Sequence, residues 1–163
     1  MTASVAERRV KKELQKLRKD PLDGMSVEVG SSPTEWFVTI VGAAETVYSG
    51  ETYRMRIRFP ANYPIEAPEV VFVPPAPLHP HIYTNGHICL SILYDEWSPA
   101  LTIQSVCLSI LSMLSSCTAK VMFSTHYFGS REFRAVIGKQ TNVHFCSGKR
   151  PNKQYKKNEA RCL

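Results

Sequence analysis

No run of apolar residues in this chain approaches the roughly 18 that a membrane-spanning helix needs, so membrane partners are not expected. The first eight residues, Met1 to Arg8, lack the apolar segment of a signal peptide, which places the expected location in the cytoplasm or nucleus. Disulfide chemistry is poorly served as well. The five cysteines (Cys89, Cys107, Cys117, Cys146 and Cys162) are odd in number and contain no CxxC pair, a pattern of free thiols. His144 lies near Cys146, but four ligands at finger spacing are missing, so neither a structural zinc nor any other cofactor is implied.

Positive charge is scarce in the middle of the chain. Residues 20–119 hold Arg54, Arg56 and Arg58 as their only basic residues against ten acids. Residues 1–19 carry seven Lys or Arg against two acids, and residues 120–163 carry ten against two. The net charge of +6 therefore sits at the two ends. Steering of an acidic partner by the first segment and a merely solvated helix face explain this equally well. Lys149, Arg150, Lys153, Lys156 and Lys157 resemble an import signal or a solvated tail; without a base-reading element they are a weak case for nucleic-acid binding.

What is present is a single domain's worth of pattern. Val10, Leu14 and Leu17 recur at helical spacing, and Pro21 closes a helix expected over residues 5–19. Strands are expected at Ser26–Val29, Glu35–Val41, Thr52–Phe59 and Glu69–Val73. The third alternates most clearly, with Tyr53, Met55, Ile57 and Phe59 on one face and Thr52, Arg54, Arg56 and Arg58 on the other. Short links between them predict an antiparallel meander. Pro74, Pro75, Pro77 and Pro80 rule out regular pairing in the next stretch. Thr102 then caps a second helix whose apolar stripe is Ile103, Val106, Cys107, Ile110, Leu114 and Cys117. The fold class is α+β. The ordered domain is expected over residues 1–119, followed by a basic, poorly ordered tail over 120–163.

The chemistry concentrates at Asn85-Gly86-His87-Ile88-Cys89. A lone cysteine ahead of Leu90-Ser91-Ile92-Leu93 is by base rate more often a buried small hydrophobe than a nucleophile. The polar turn before it, Thr84 to His87, enters a dry core only at high cost, which puts the thiol at a surface edge. His87 can lean toward the thiol in an extended segment, although a solvated histidine is the simpler reading. A cysteine-protease site does not fit, because the predicted helix begins only at Thr102, well past the thiol.

Together, Phe59-Pro60-x-x-Tyr63-Pro64-x-x-x-Pro68, His79-Pro80-His81, Asn85-Gly86-x-Ile88-Cys89-Leu90 and Trp97-Ser98-Pro99-Ala100 resemble the ubiquitin-conjugating enzymes, from about Arg8 to Ala119. The likeness is greatest to the W-type branch and its plant relatives, through His81 where most members carry asparagine and Ser91 where many carry aspartate. The resemblance implies an N-terminal helix, a four-stranded meander, an active-site loop and a central helix. It also implies that Cys89 accepts ubiquitin as a thioester from the ubiquitin-activating enzyme and passes it to an amine of a protein substrate. Asn85 would hold the active-site turn, and His81 would steady the loop or the oxyanion. Arg8, Arg9 and Lys12 would meet the activating enzyme. Ile65, Trp97, Pro99 and Ala100, with part of the first helix, would dock RING-type or U-box ligases, although as bare residues Ile65 and Trp97 fit ordinary loop packing equally well.

Ser91 bears on which amine is attacked. A carboxylate at that position is credited with helping lysine-modifying relatives. Lysine titrates near 10.4 and an α-amino group near 7.7–8.0, a gap of about 2.5 units or roughly 3.5 kcal/mol. Loss of the carboxylate should therefore cost lysine transfer more than N-terminal transfer, the activity attributed to the W-type branch, unless Asp95 or Glu96 substitutes. From Val121 to Phe128 and through the basic tail the chain departs from the family's usual endings and reads as an alternative C-terminus. The runner-up function is therefore a catalytically impaired variant acting as a ubiquitin- or ligase-binding adaptor.

Overall fold

The computed structural model describes residues 4–120. Of the poorly ordered tail expected over 120–163, residues 121–163 lie outside the described residues. Chain order is α1 (Val5–Lys19), β1 (Met25–Val29), β2 (Glu35–Val41), β3 (Thr52–Arg58), β4 (Glu69–Phe72), a 3-10 turn (Ser91–Leu93) and α2 (Ile103–Ser115). The four strands form one antiparallel sheet in sequence order, the expected meander.

Both helices start on a reciprocal cap. The Ser4 hydroxyl accepts from the Glu7 amide at 3.1 Å, while the Glu7 carboxylate accepts from the Ser4 amide at 2.7 Å. Thr102 and Ser105 do the same for α2. Lys16, Arg18 and Lys19 in the last turn of α1 complement the carbonyl end of its dipole.

Strand alternation sorts the sheet into two faces. Trp36, Val38, Ile40, Met55 and Ile57 point inward and are fully buried. Burial of each such side chain contributes about 1.5–3 kcal/mol, so this face carries the sheet's stability. On the outer face Arg54 donates to Glu28 at 2.8 Å and lies 4.3 Å from the Phe37 ring centroid, and Arg58 donates to Glu35 at 2.8 Å. Such exposed pairs contribute at most about 1 kcal/mol each. Strand limits differ from expectation by one residue: Met25 joins β1 opposite Ile40, whereas Phe59 and Val73 keep a backbone bond to Thr34 and Arg54 but fall outside the ladder.

Ile103, Val106, Cys107, Ile110 and Leu114 of α2 join the inward face of the sheet in one core, to which α1 adds Ala6, Val10 and Leu17. Cys117 lies past the end of α2 and is half-buried, because the helix stops at Ser115. The apolar stripe of α1 also contains a buried acid. Glu13 is 6% exposed, and its carboxylate accepts from Arg9 Nε at 2.5 Å, the Tyr63 hydroxyl at 2.6 Å and the Ile103 amide at 2.8 Å. The last of these is an orphan donor in the first turn of α2, so Glu13 caps a helix ninety residues away in sequence and meets the positive end of its dipole. Arg9 closes the junction by donating to the Leu101 carbonyl at 2.9 Å.

Removing one partner of such a buried arrangement leaves the others uncompensated. Glu13→Ala is expected to lower the unfolding free energy by about 3 kcal/mol in urea denaturation, against about 1 kcal/mol for Tyr63→Phe. A loss below about 1 kcal/mol for Glu13→Ala would show that the junction is dispensable.

Candidate active site

Prolines free the segment after β4 from the sheet, and it returns as a small hairpin against the sheet's edge. Ile82 bridges Ile88 in antiparallel fashion. The Tyr83 amide donates to the His87 carbonyl at 2.9 Å, the Gly86 amide to the Tyr83 carbonyl at 2.9 Å, and the Cys89 amide to the His81 carbonyl at 2.7 Å. Asn85 supports the turn through its Oδ1, which accepts from the His87 amide at 3.2 Å. Gly86 is obligatory for two reasons. Its φ is +85°, and a Cβ there would lie 2.1 Å from the Phe72 carbonyl oxygen. That close approach lets the Phe72 amide donate to the Gly86 carbonyl at 2.9 Å, while His87 bridges Val71. The hairpin thus covers β4, the open edge of the sheet.

The approach to the hairpin is anchored from below. His79 is 3% exposed; its Nδ1 accepts from the His81 amide at 2.9 Å, which leaves the proton on Nε2 to donate to the Met113 carbonyl of α2 at 3.2 Å. Burial, with help from neighbouring His81, holds this imidazole neutral and pushes its pKa down to about 4. The Tyr48 hydroxyl donates to the Leu78 carbonyl at 2.7 Å, one residue earlier.

Cys89 stands at the end of this hairpin and is exposed. The other two cysteines described are placed differently. Cys107 is buried, which pushes its thiol up to about 12, and half-buried Cys117 donates to the Ala119 carbonyl at 3.1 Å. Beyond Cys89 the chain turns back. The Tyr94 hydroxyl donates to the Ile88 carbonyl at 3.0 Å, one residue before Cys89, and its pKa is pushed up to about 12 by burial and then by the nearby Cys89. The Ser91 hydroxyl donates to Glu96 at 2.5 Å.

His81, Asn85, Cys89 and Ser91 are thus brought onto one hairpin and its exit. His81 is engaged through its backbone, with its ring 5.5 Å from that of His79. His87 is half-buried rather than solvated, because its segment lies against β4; burial lowers its pKa, in the field of Glu69 and Arg56. A second group assembles nearby. Trp97 donates from its indole to the Pro64 carbonyl at 2.8 Å, next in sequence to Ile65, which is 77% exposed; Pro99 and Ala100 are exposed as well. On α1, Arg8 and Lys12 are exposed, whereas the Arg9 guanidinium is committed to Glu13 and Leu101. Residue patterns did not single out Glu13 or Tyr94. An acid on the apolar side of α1, three residues after Val10 and four before Leu17, was the available signal for Glu13.

The sequence profile described as "Ubiquitin-conjugating enzyme" matches residues 9–129. "Ubiquitin-conjugating enzyme 15" of Arabidopsis thaliana is 53% identical over 118 residues, covering 72% of this chain and 73% of the relative. "Probable ubiquitin-conjugating enzyme E2 W-A" of Danio rerio is 52% identical over 118 residues, covering 70% and 78% respectively. Among solved structures, the ubiquitin-conjugating enzyme E2 UbcA1 from Agrocybe aegerita superposes with a TM-score of 0.71 at 42% identity, covering 74% of this chain and 89% of that one. With this fold, an exposed thiol and relatives of both W type and plant origin, the chain belongs to the ubiquitin-conjugating enzyme family. Membership brings ubiquitin, an activating enzyme and ligases as its general partners.

The histidine anchor has a pH signature. A folded pKa near 4 against 6.5 unfolded means that its contribution is complete above pH 6.5 and is lost as pH falls toward 4. Between pH 7 and 4.5 the wild type should lose about 2 kcal/mol more unfolding free energy than His79→Gln, measured in urea at each pH. Parallel pH profiles for the two proteins would contradict a buried neutral imidazole.

Proposed function

We propose that Cys89 receives ubiquitin from the activating enzyme as a thioester and hands it to protein amines, with a preference for N-terminal α-amines. The carrying observation is the placement of Cys89: an exposed thiol on a hairpin whose backbone is tied to β4, to α2 through His79 and to Tyr94. In the first step the Cys89 thiolate attacks the activated carboxyl carbon of ubiquitin. The carrier thiol of the activating enzyme leaves with the electron pair and takes up the proton. In the second step a neutral amine attacks the same carbon, the C–N bond forms, the C–S bond breaks with its electron pair leaving on Cys89 Sγ, and the amine's surplus proton passes to that sulfur or to water.

A preorganised hairpin suits both steps, because the reacting sulfur is presented without a loop having to order first. Exposed Arg8 and Lys12 suit the activating enzyme, and the cluster of Ile65, Trp97, Pro99 and Ala100 suits RING-type or U-box ligases. Free thiols among the described cysteines suit a cytoplasmic or nuclear setting. The hydroxyl at Ser91, in place of a carboxylate, and the lower pKa of α-amines support the N-terminal preference. Residues 1–119 would be the conjugating domain and 120–163 an appended tail.

Incubation with activating enzyme, ATP and ubiquitin tests the reading. Wild type should form a reductant-sensitive adduct, Cys89→Ser a reductant-stable oxyester, and Cys89→Ala none. The charged protein is then offered a lysine-free peptide with a free N-terminus together with an N-acetylated peptide bearing one lysine, and products are read by mass spectrometry. An excess of at least about tenfold on the α-amine is expected at pH 7, since its neutral fraction is roughly 300-fold larger and the greater nucleophilicity of the more basic lysine amine offsets only part of that. Equal yields would remove the N-terminal preference and leave the thioester intact. A wild type that binds ubiquitin but never charges would establish the adaptor instead.

A further inference from the structure

The chain beyond Cys89 turns back so that a carboxylate is held on Ser91, two residues after the thiol. Leu90 is extended, with φ −133° and ψ 119°. Residues two apart in an extended segment share a face, so Ser91 stands on the side that bears Cys89, about 7 Å along the backbone. The 3-10 turn then reverses the chain, and the Ser91 carbonyl accepts from the amides of Tyr94 at 2.9 Å and Glu96 at 3.1 Å. That reversal brings the Glu96 carboxylate back, where Oε2 accepts from the Ser91 hydroxyl at 2.5 Å. Ser91 and Glu96 are both exposed, and no described lysine or arginine forms an ion pair with Glu96. Two bonds to one serine, from backbone and side chain, hold an exposed glutamate that would otherwise sample many rotamers.

We propose that Glu96, held in place by Ser91, binds and orients the incoming amine at the Cys89 thioester. The inference rests on the reading of Cys89 as the thioester carrier. In this role Ser91 is a positioning residue, using one carboxylate oxygen and leaving the other for an N–H of the acceptor. The amine lone pair attacks the thioester carbon and a C–N bond forms. One N–H proton of the adduct passes to Glu96, the C–S bond breaks, and its electron pair leaves on Cys89 Sγ. The carboxylate returns its proton to that sulfur or to water. Nothing is oxidised or reduced, and no co-reactant is required. The missing aspartate at position 91 is thereby supplied from five residues downstream. With a carboxylate supplied by Glu96, the hydroxyl at position 91 no longer argues for α-amines by itself, and the preference rests on the gap of about 2.5 units between lysine and an α-amine.

The test is single-turnover discharge of preformed thioester onto each of the two acceptor peptides, with wild type, Glu96→Gln, Ser91→Ala, Ser91→Thr, the Glu96→Gln/Ser91→Ala double variant and Asp95→Asn as a charge control. Charging by the activating enzyme serves as the fold check, and all variants should charge as wild type does. Glu96→Gln should discharge about tenfold more slowly onto both acceptors, with the loss in the maximal rate. Ser91→Ala should show a smaller loss, and Ser91→Thr, which keeps the hydroxyl, should recover most of it. The double variant should be no slower than Glu96→Gln alone, since serine acts through the glutamate. A normally charged Glu96→Gln protein that discharges within about twofold of wild type would overturn the inference. Equal slowing by Asp95→Asn, or additive losses in the double variant, would do the same. Failure of wild type to charge at all would instead overturn the reading of Cys89, and this inference with it.

Discussion

The carboxylate of Glu13 is the contact on which the arrangement of this protein depends. Three donors from three segments converge on it: Arg9 on α1, Tyr63 in the loop after β3, and the first amide of α2. Taking a carboxylate out of water is costly, and it is tolerated here because each donor also needs an acceptor. Burial and the bond to Glu13 push the Tyr63 pKa upward, so its hydroxyl keeps the proton that it donates. The Arg9 pKa is likewise raised by the same carboxylate. The junction fixes where α2 begins, and α2 in turn carries the carbonyl of Met113 on which His79 rests. From the first helix to the hairpin that bears Cys89 there is thus a continuous chain of hydrogen bonds and packed rings.

The same junction organises the outer surface. Tyr63 stacks obliquely on Trp97, with ring centroids 6.0 Å apart, and Trp97 hydrogen-bonds to Pro64. Ile65 is left projecting because its neighbours on both sides are pinned, not because the loop is loose. An exposed apolar side chain held in one position is a low-entropy anchor for a partner. Arg9 shows the opposite balance. Its charge contributes to the basic character of α1 in sequence, yet its guanidinium is directed inward, so a partner approaching α1 meets Arg8 and Lys12.

Much of this was legible from residue order alone. The alternation in β3, the spacing of Val10, Leu14 and Leu17, and the Thr102 cap each follow from local rules, and the elements formed as those rules require. The position of Cys89 at a surface edge followed from the cost of burying Thr84 to His87. Long-range pairings were not legible. Glu13 looks like one more charge on a helix, and only the arrival of α2 and Tyr63 around it makes burial favourable. His79 reads as part of a motif, while its tautomer is decided by an amide two residues on and a carbonyl thirty-four residues away. The return of Glu96 to Ser91 depends on a 3-10 turn that no periodicity announces.

The distribution of charge has a chemical consequence for a protein that carries an activated acyl group. Between Lys19 and Lys120 there is no lysine, and the three basic residues in that span are arginines. Guanidinium stays protonated at any accessible pH and is not an acyl acceptor, whereas a lysine on the loops around Cys89 would compete with substrate at high effective concentration. Lys120 itself is paired with Glu51 and sits 5.4 Å from the Tyr48 ring centroid. The described lysines other than Lys120 are on α1. Arginine therefore supplies the outer face of β3 with cation–π and ion-pair contacts that lysine could also have made, but without a reactive amine. On the proposed reading of Cys89, an amine acceptor has to come from outside the segment that builds the hairpin.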